Sequence, residues 1–403
     1  MDREQRQAFN AAFSEESHRR MLGVIEREAG FPADFRISET PLFLDAETTR
    51  ELVRAGWEIA TAVTDPAYLA HTGRALPPGL VLPARDAHTS FLQIDFALAL
   101  DETDRENGRM VPRLIELQGF PSLYAFQWLL ERAFRETYGI PEHLSPYFDG
   151  LNERTYCDCL RDLIVAGADP ETVILLEVEP ETQKTRVDFA CTERLIGVPT
   201  VGLSEVIERG DRLYYHRDGR DVPITRIYNR VIFDELERKG LPRDLFQREH
   251  EGVTWLGHPG WYFRLSKFAL PYIKSRYAPP AWFLSDVIRE LPEDLESYVL
   301  KPLFSFAGLG VELGPTPERL RGIRNPEDFI LQRKVDYAPA VETLDVPAKA
   351  EVRMMFVWDD KLRLINNLVR MSKGKMMGVD FNRDLTWIGG SLAYHPAVES
   401  FPL

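Results

Sequence analysis

A chain of 403 residues, 44% hydrophobic and 28% charged, is long enough to bury a large core and divide into two or three lobes, and it lacks the bias of a disordered or repetitive protein. Its formal charge of −14 argues against general affinity for nucleic acid or an anionic membrane, both of which call for a basic surface, and suits a cationic or amine-bearing substrate. There is no apolar run of about 18 residues, and Met1-Asp-Arg-Glu-Gln-Arg6 has neither the apolar stretch nor the cleavage site of a signal peptide, so the expected location is cytoplasmic.

The first residues are charged, with Phe9, Phe13, Leu22 and Ile25 at helical spacing, which predicts an N-terminal helical appendage over 1–40. The next unit, 41–150, opens with a helical pattern from Asp45 to Thr64 and a loop at Pro77-Pro78-Gly79. Two strand-like runs follow, Ser90–Leu100 and Arg113–Gln118; the polar segment between them, ending in Asn107-Gly108, reads as a long exposed hairpin loop. Pro121 is expected to open a helix with Leu123, Phe126, Leu130 and Phe134 on one face. In the unit 151–260, Val173–Val178 is a short apolar run, Lys184–Ile196 is helical, and Thr200–Leu203 and Ile224–Ile232 are extended. That strand, helix, strand alternation predicts a small parallel sheet. The last unit, 261–403, holds a predicted helix at Leu265–Ile273 and strands around Lys301, Phe329–Val335, Glu351–Trp358 and Leu362–Arg370. Three cysteines, Cys157, Cys159 and Cys191, are an odd number that fits reduced thiols, and the Cys-x-Cys pair has no second ligand pair at zinc spacing.

Chemistry concentrates in a few segments. Ser297-Tyr-Val-Leu-Lys-Pro-Leu-Phe-Ser-Phe-Ala-Gly-Leu-Gly-Val311 runs an apolar strand into a lysine and a glycine-punctuated loop. Lys301 is a compact charge for phosphate oxygens, and Gly308 and Gly310 would let backbone N–H groups approach them; a strand followed by an ordinary turn has the same pattern. Glu116 and Gln118 project the same way along a strand while Ile115 and Leu117 face the core. With Asp95 on the neighbouring strand they would form a hard-oxygen site suited to Mg²⁺, or else the solvated face of an amphipathic hairpin. Lys267, at the start of Ser266-Lys-Phe-Ala-Leu-Pro, is a third candidate element, or else a solvated or helix-capping charge. Gln332 lies where a strand edge would offer backbone groups to an adenine ring. Arg353 and Arg370, on adjacent predicted strands, suit a phosphoryl group or a carboxylate, or surface ion pairs. Asn382, ahead of Gly389-Gly390-Ser391, joins them as a candidate. The sequence has no G-x-x-x-x-G-K-[ST], G-x-S-x-G or H-E-x-x-H, and Gly308-Leu-Gly310-Val-Glu-Leu-Gly314 misses the dinucleotide fingerprint.

Ser266-Lys-Phe-Ala-Leu-Pro together with Leu300-Lys-Pro-Leu-Phe-Ser-Phe-Ala-Gly-Leu-Gly-Val311 resembles the nucleotide-binding half of ATP-grasp enzymes. Arg113-Leu-Ile-Glu-Leu-Gln-Gly-Phe-Pro-Ser122 resembles their Glu-x-Asn metal segment, which here comes first. That order is similar to the glutathionylspermidine synthase-like family, over roughly residues 88–403. The resemblance implies an α/β fold with α+β elements: a circularly permuted ATP-grasp with a pre-ATP-grasp-like strand, helix, strand lobe at 151–260, the metal part in 41–150 and the nucleotide part in 261–403. It also implies ATP and Mg²⁺ as cofactors, held by Lys267, Lys301, Gly308, Gly310 and Gln332 and by Asp95, Glu116 and Gln118. Arg353, Arg370 and Asn382 would serve catalysis. The implied activity joins a small-molecule or peptide carboxylate to an amine through an acyl phosphate; the alternative is an ATP-binding protein without catalysis. Two positions depart from the family: Gln118 stands in place of Asn, and Gln93 stands where an Arg commonly precedes the metal Asp by two residues.

Overall fold

The computed structural model describes residues 1–76, 88–101, 108–305, 309–375, 377, 382 and 385–398. The predicted loop at Pro77-Pro78-Gly79, most of the hairpin connection before Gly108, and Gly308 lie outside the described residues.

Among those residues the site rests on a five-stranded antiparallel sheet in the order Gly389–Ser391, Leu362–Ser372, Lys349–Trp358, Phe91–Leu100, Met110–Gln118. The early hairpin is thus completed by the late one, with Arg353 opposite Asp95 and Glu351 opposite Ala97. Phe91–Leu100 is buried at nearly every position because both faces of the sheet are covered. Leu92, Ile94, Phe96 and Leu98 enter the core shared with Leu52, Ile59 and Val63 of the helix Ala46–Thr64. Phe91, Met355 and Val357 enter a second core with Tyr124, Phe126 and Phe134 of the helix Tyr124–Thr137. That helix starts at Tyr124, later than Pro121 suggests. Its cap comes from elsewhere in the chain: Asp188 accepts from the backbone N–H groups of Leu123 at 3.0 Å and Phe126 at 2.9 Å.

The middle unit contains the expected parallel sheet, in the order Thr254–Leu256, Arg226–Asn229, Val173–Glu177, Thr200–Gly202. Beside it is an antiparallel meander, Ile207–Arg209, Arg212–Arg217 and Arg220–Pro223. In the last unit, Leu265–Ile273 is not an α-helix. A short helix, Gly260–Arg264, gives way to a 3₁₀ segment, Lys267–Tyr272, capped by Ser266 and containing Pro271, whose missing N–H prevents a continuous α-helical ladder. A second antiparallel sheet, in the order Ala281–Phe283, Phe329–Arg333, Tyr298–Pro302, Glu312–Leu313, carries Lys301. It has its own small core around Leu284, Leu300 and Leu331.

The N-terminal helices, Arg3–Ala12 and Glu15–Ala29, contribute Phe9, Met21, Val24 and Ile25 to the second core, so they are packed into the body of the protein. Leu42–Phe43 pairs in parallel with Ala393–Tyr394, joining the beginning of the chain to its end.

Candidate functional site

A β-bulge shapes one wall. Asp95 pairs with Glu116, but the next residue, Phe96, pairs with Leu114, so Ile115 is an extra residue in its strand. The extra residue changes the expected alternation: Ile115 lines the cavity beside Glu116 while Leu114 is fully buried. The carbonyl of Ile115 accepts a hydrogen bond from Lys301 Nζ at 2.9 Å. The bulge therefore fixes the position of the lysine opposite it.

The cavity between the two antiparallel sheets and the parallel-sheet lobe has a volume of about 1020 Å³. It brings together Glu116, Gln118, Lys267, Lys301, Gln332, Arg353 and Arg370, which come from five separate strands and the 3₁₀ segment. Ten lysines and arginines line it against five carboxylates among the described residues. The local charge is thus opposite in sign to the chain's −14, and this corrects the expectation drawn from net charge: the cavity suits an anionic ligand.

Asp95 does not line the cavity; it is 1% exposed and lies behind the wall. Its Oδ1 accepts from Arg353 Nε at 2.6 Å, and its Oδ2 accepts from Arg353 Nη2 at 2.7 Å and Arg370 Nη2 at 2.6 Å. Burial alone would push the carboxyl up, but Arg353, Arg370 and Lys301 together hold it below the usual carboxylate range. Arg370 also donates to Glu351, whose other oxygen accepts from Tyr337 at 2.6 Å. Burial pushes the Glu351 carboxyl up despite Arg370, and the surrounding carboxylates hold the Arg370 guanidinium firmly protonated against its own burial. Gln93 sits at the hub. Its Oε1 accepts from Gln118 Nε2 at 2.6 Å and Arg353 Nη1 at 3.2 Å, and its Nε2 donates to the Ser122 carbonyl at 2.7 Å. Where the resemblance leads one to expect an arginine at position 93, the neighbouring strand supplies the guanidinium of Arg353.

Lys267 and Lys301 are both buried. Burial lowers the Lys267 pKa and brings that of Lys301 down to about 8, with Glu116 opposing the shift in each case. Lys267 Nζ donates to the Ser305 carbonyl and lies 4.0 Å from Glu116. Gly310 has φ +74°, and a Cβ there would come within 2.9 Å of Pro302, so glycine is required for the turn. Gln332 donates to the Leu114 carbonyl at 3.4 Å. The N–H groups of the two residues after it, Arg333 and Lys334, are used by Pro280 and Ser297. Asn382 is not part of the cavity wall among the described residues. Its Oδ1 accepts from Ser372 Oγ, Lys373 N and Gly374 N, which makes it a turn brace.

At the other end of the cavity are residues that the sequence reading did not single out. Arg230 is 5% exposed and lies over Phe120, 4.8 Å from the ring centre. Its Nη2 donates to Thr185 at 3.3 Å, while Nε and Nη1 have no hydrogen-bond partner. Glu177, buried beside it, has its pKa pushed up by burial to about 7, and Glu235 accepts from Gln183 at 3.0 Å. Arg230 stands one residue beyond the parallel strand Arg226–Asn229, the side of such a sheet where ligands commonly bind.

No family model matches the sequence, and no curated protein sequence matches it. Among solved structures, the chain is similar to a glutathione synthetase like-effector from Globodera pallida in its apo form, with a TM-score of 0.56 and 9% identity over 95% of this chain and 96% of that one. The fold is glutathione synthetase-like. This agrees with the mixed α/β, ATP-grasp-related architecture expected from the two lysine segments and the early hairpin. At 9% identity the likeness concerns the fold, and the chemistry has to be argued from the cavity itself.

Proposed function

We propose that the protein is an ATP-dependent carboxylate–amine ligase. The supporting observation is the convergence of Lys267, Lys301, Arg353 and Arg370 on one cavity of a glutathione synthetase-like fold. Lys267 and Lys301 would hold the phosphates, and Gln332 would mark the adenine edge. A carboxylate oxygen of the substrate attacks the γ-phosphorus and the bond to the ADP oxygen breaks, giving an acyl phosphate. The amine nitrogen then attacks the carbonyl carbon, phosphate leaves, and the nitrogen loses a proton to give the amide. Arg353 and Arg370 are suited to the charge on the transferring group, and most of the rate enhancement would come from positioning and charge neutralisation. At the far end, Arg230 can receive a second substrate carboxylate, with Glu177 and Glu235 nearby for an amine. Asp95, Glu116 and Gln118 as arranged do not form a Mg²⁺ site, because both oxygens of Asp95 are taken by arginines; no step is assigned to that ion.

Hydroxylamine, supplied in place of the amine with ATP and an extract of cellular acids, should give a hydroxamate together with equal amounts of ADP and phosphate. AMP and pyrophosphate would point instead to adenylation. The engagement of Asp95 favours one rival reading, an ATP-binding protein without turnover, which would bind ATP and release no ADP with any extract.

A further inference from the structure

We propose that this site neutralises a nucleotide's phosphates with its own guanidinium groups rather than with a divalent cation, and that Asp95 is a positioning residue for Arg353 and Arg370 instead of a metal ligand. The inference rests on the nucleotide reading above and deepens it.

Three observations carry it. First, a hard cation is held by carboxylate oxygens with free lone pairs facing one point. Both oxygens of Asp95 receive charge-assisted bonds of 2.6–2.7 Å from two arginines, in a position sealed from the cavity. To ligate an ion, Asp95 would have to abandon both guanidinium groups, one of them held in a bidentate fork and buried with it. Second, the neighbouring carboxylates already face cations. Glu351 is shared between Arg370 and Tyr337, and Glu116 lies 3.8 Å from Arg370 and 4.0 Å from Lys267. Among the described residues no group of three or more histidines, cysteines, aspartates or glutamates is placed to hold a metal ion. Third, the charges balance without an ion. Lys267, Lys301, Arg353 and Arg370 face Asp95, Glu116 and Glu351, with Asp234 acting on Lys267 as well, so four cations meet four carboxylates, where a divalent-cation site ordinarily carries a surplus of carboxylates. Asp95 then fixes the planes of the two arginines, and Gln93 holds Arg353 from a third side, so the guanidinium groups meet an anion already oriented.

The test is calorimetry of ATP binding to the full chain at constant ionic strength, once with EDTA and once with Mg²⁺ in excess. Affinities within about threefold of each other are expected. Affinity at least about tenfold tighter with Mg²⁺ overturns the inference while keeping the nucleotide reading. No binding in either buffer overturns the nucleotide reading, and this inference with it. Glu116→Gln supplies an independent arm, since Glu116 is half-buried and its amide keeps the side-chain shape. If Glu116 is only an anion on the wall, removing its charge tightens ATP binding in EDTA; if it is a metal ligand, the variant loses affinity in Mg²⁺, which counts against the inference.

Discussion

At the end of the cavity walled by the central sheet, Asp95, Glu351, Arg353 and Arg370 are hydrogen-bonded to one another before any ligand arrives. At the end walled by the parallel sheet, Arg230 is as deeply buried yet keeps two guanidinium nitrogens without a partner. The contrast separates two ways of using a buried cation. A paired arginine is rigid and stabilises the fold through its partner, so a ligand meets it already oriented. One with free N–H groups carries a desolvation cost that Glu177 and Asp188 offset only in part and that a carboxylate of the right reach would relieve, which makes the open end the better candidate for selecting a substrate.

The sharpest way to break this contrast is Arg353→Met. It leaves Asp95 buried with one guanidinium and should cost about 3–5 kcal/mol in urea unfolding, much of it recovered in the Asp95→Asn, Arg353→Met double variant. A loss no larger than that of an exposed charge would mean the network is not structural. Lys301→Met tests the ligand side of the same end. Losing a charge-assisted bond of about 1.5–3 kcal/mol should weaken ATP about 10- to 100-fold by calorimetry in a protein that still folds. Arg230→Met, by contrast, should cost less, about 1–2 kcal/mol of stability, because a long hydrogen bond to Thr185 and unbonded attractions to Glu177 and Asp188 are lost; a cost equal to that of Arg353→Met would erase the distinction between the two ends.

The smallest effect concerns pH. Burial brings Lys301 from 10.5 down to about 8, so the folded protein releases this proton before the unfolded chain does. The group therefore costs stability while protonated, and the cost is relieved as pH rises from about 8 towards the ordinary lysine value. Bound phosphates favour the ammonium form, so ATP affinity should fall as pH rises through 8, with proton uptake on binding there. Calorimetry in two buffers of different ionisation heat would detect it, and equal heats would remove Lys301 from the phosphate site.

Local pattern made the two hairpins, the parallel sheet and the two lysines legible, because strand periodicity and glycine punctuation are properties of short segments. The pairing of Arg353 and Arg370 was partly legible: adjacent strands were expected, but exposed ion pairs fitted the sequence equally well, and only the coverage of both sheet faces decides that Arg353 is buried and Arg370 partly so. Ile115 was misplaced because a bulge depends on the register of two strands, which neither strand reveals alone. Glu351, Tyr337 and Arg230 carry no motif and acquire meaning only through partners far away in the chain. Asn382 was read as a candidate beside a glycine pair, whereas its oxygen is used by the nearby turn. Gly308 lies outside the described residues.

The inverted charge of the cavity has a kinetic consequence. An approaching polyanion first meets the field of a chain carrying −14, and only on entering the cavity does it meet the ten lysines and arginines of the wall. Salt at about 0.1 M shortens the screening length to about 10 Å, which mutes the outer repulsion while leaving the close contacts largely intact. Anion association with this protein is accordingly expected to quicken with moderate ionic strength, the reverse of the slowing seen when a ligand is drawn in by the field of the whole molecule.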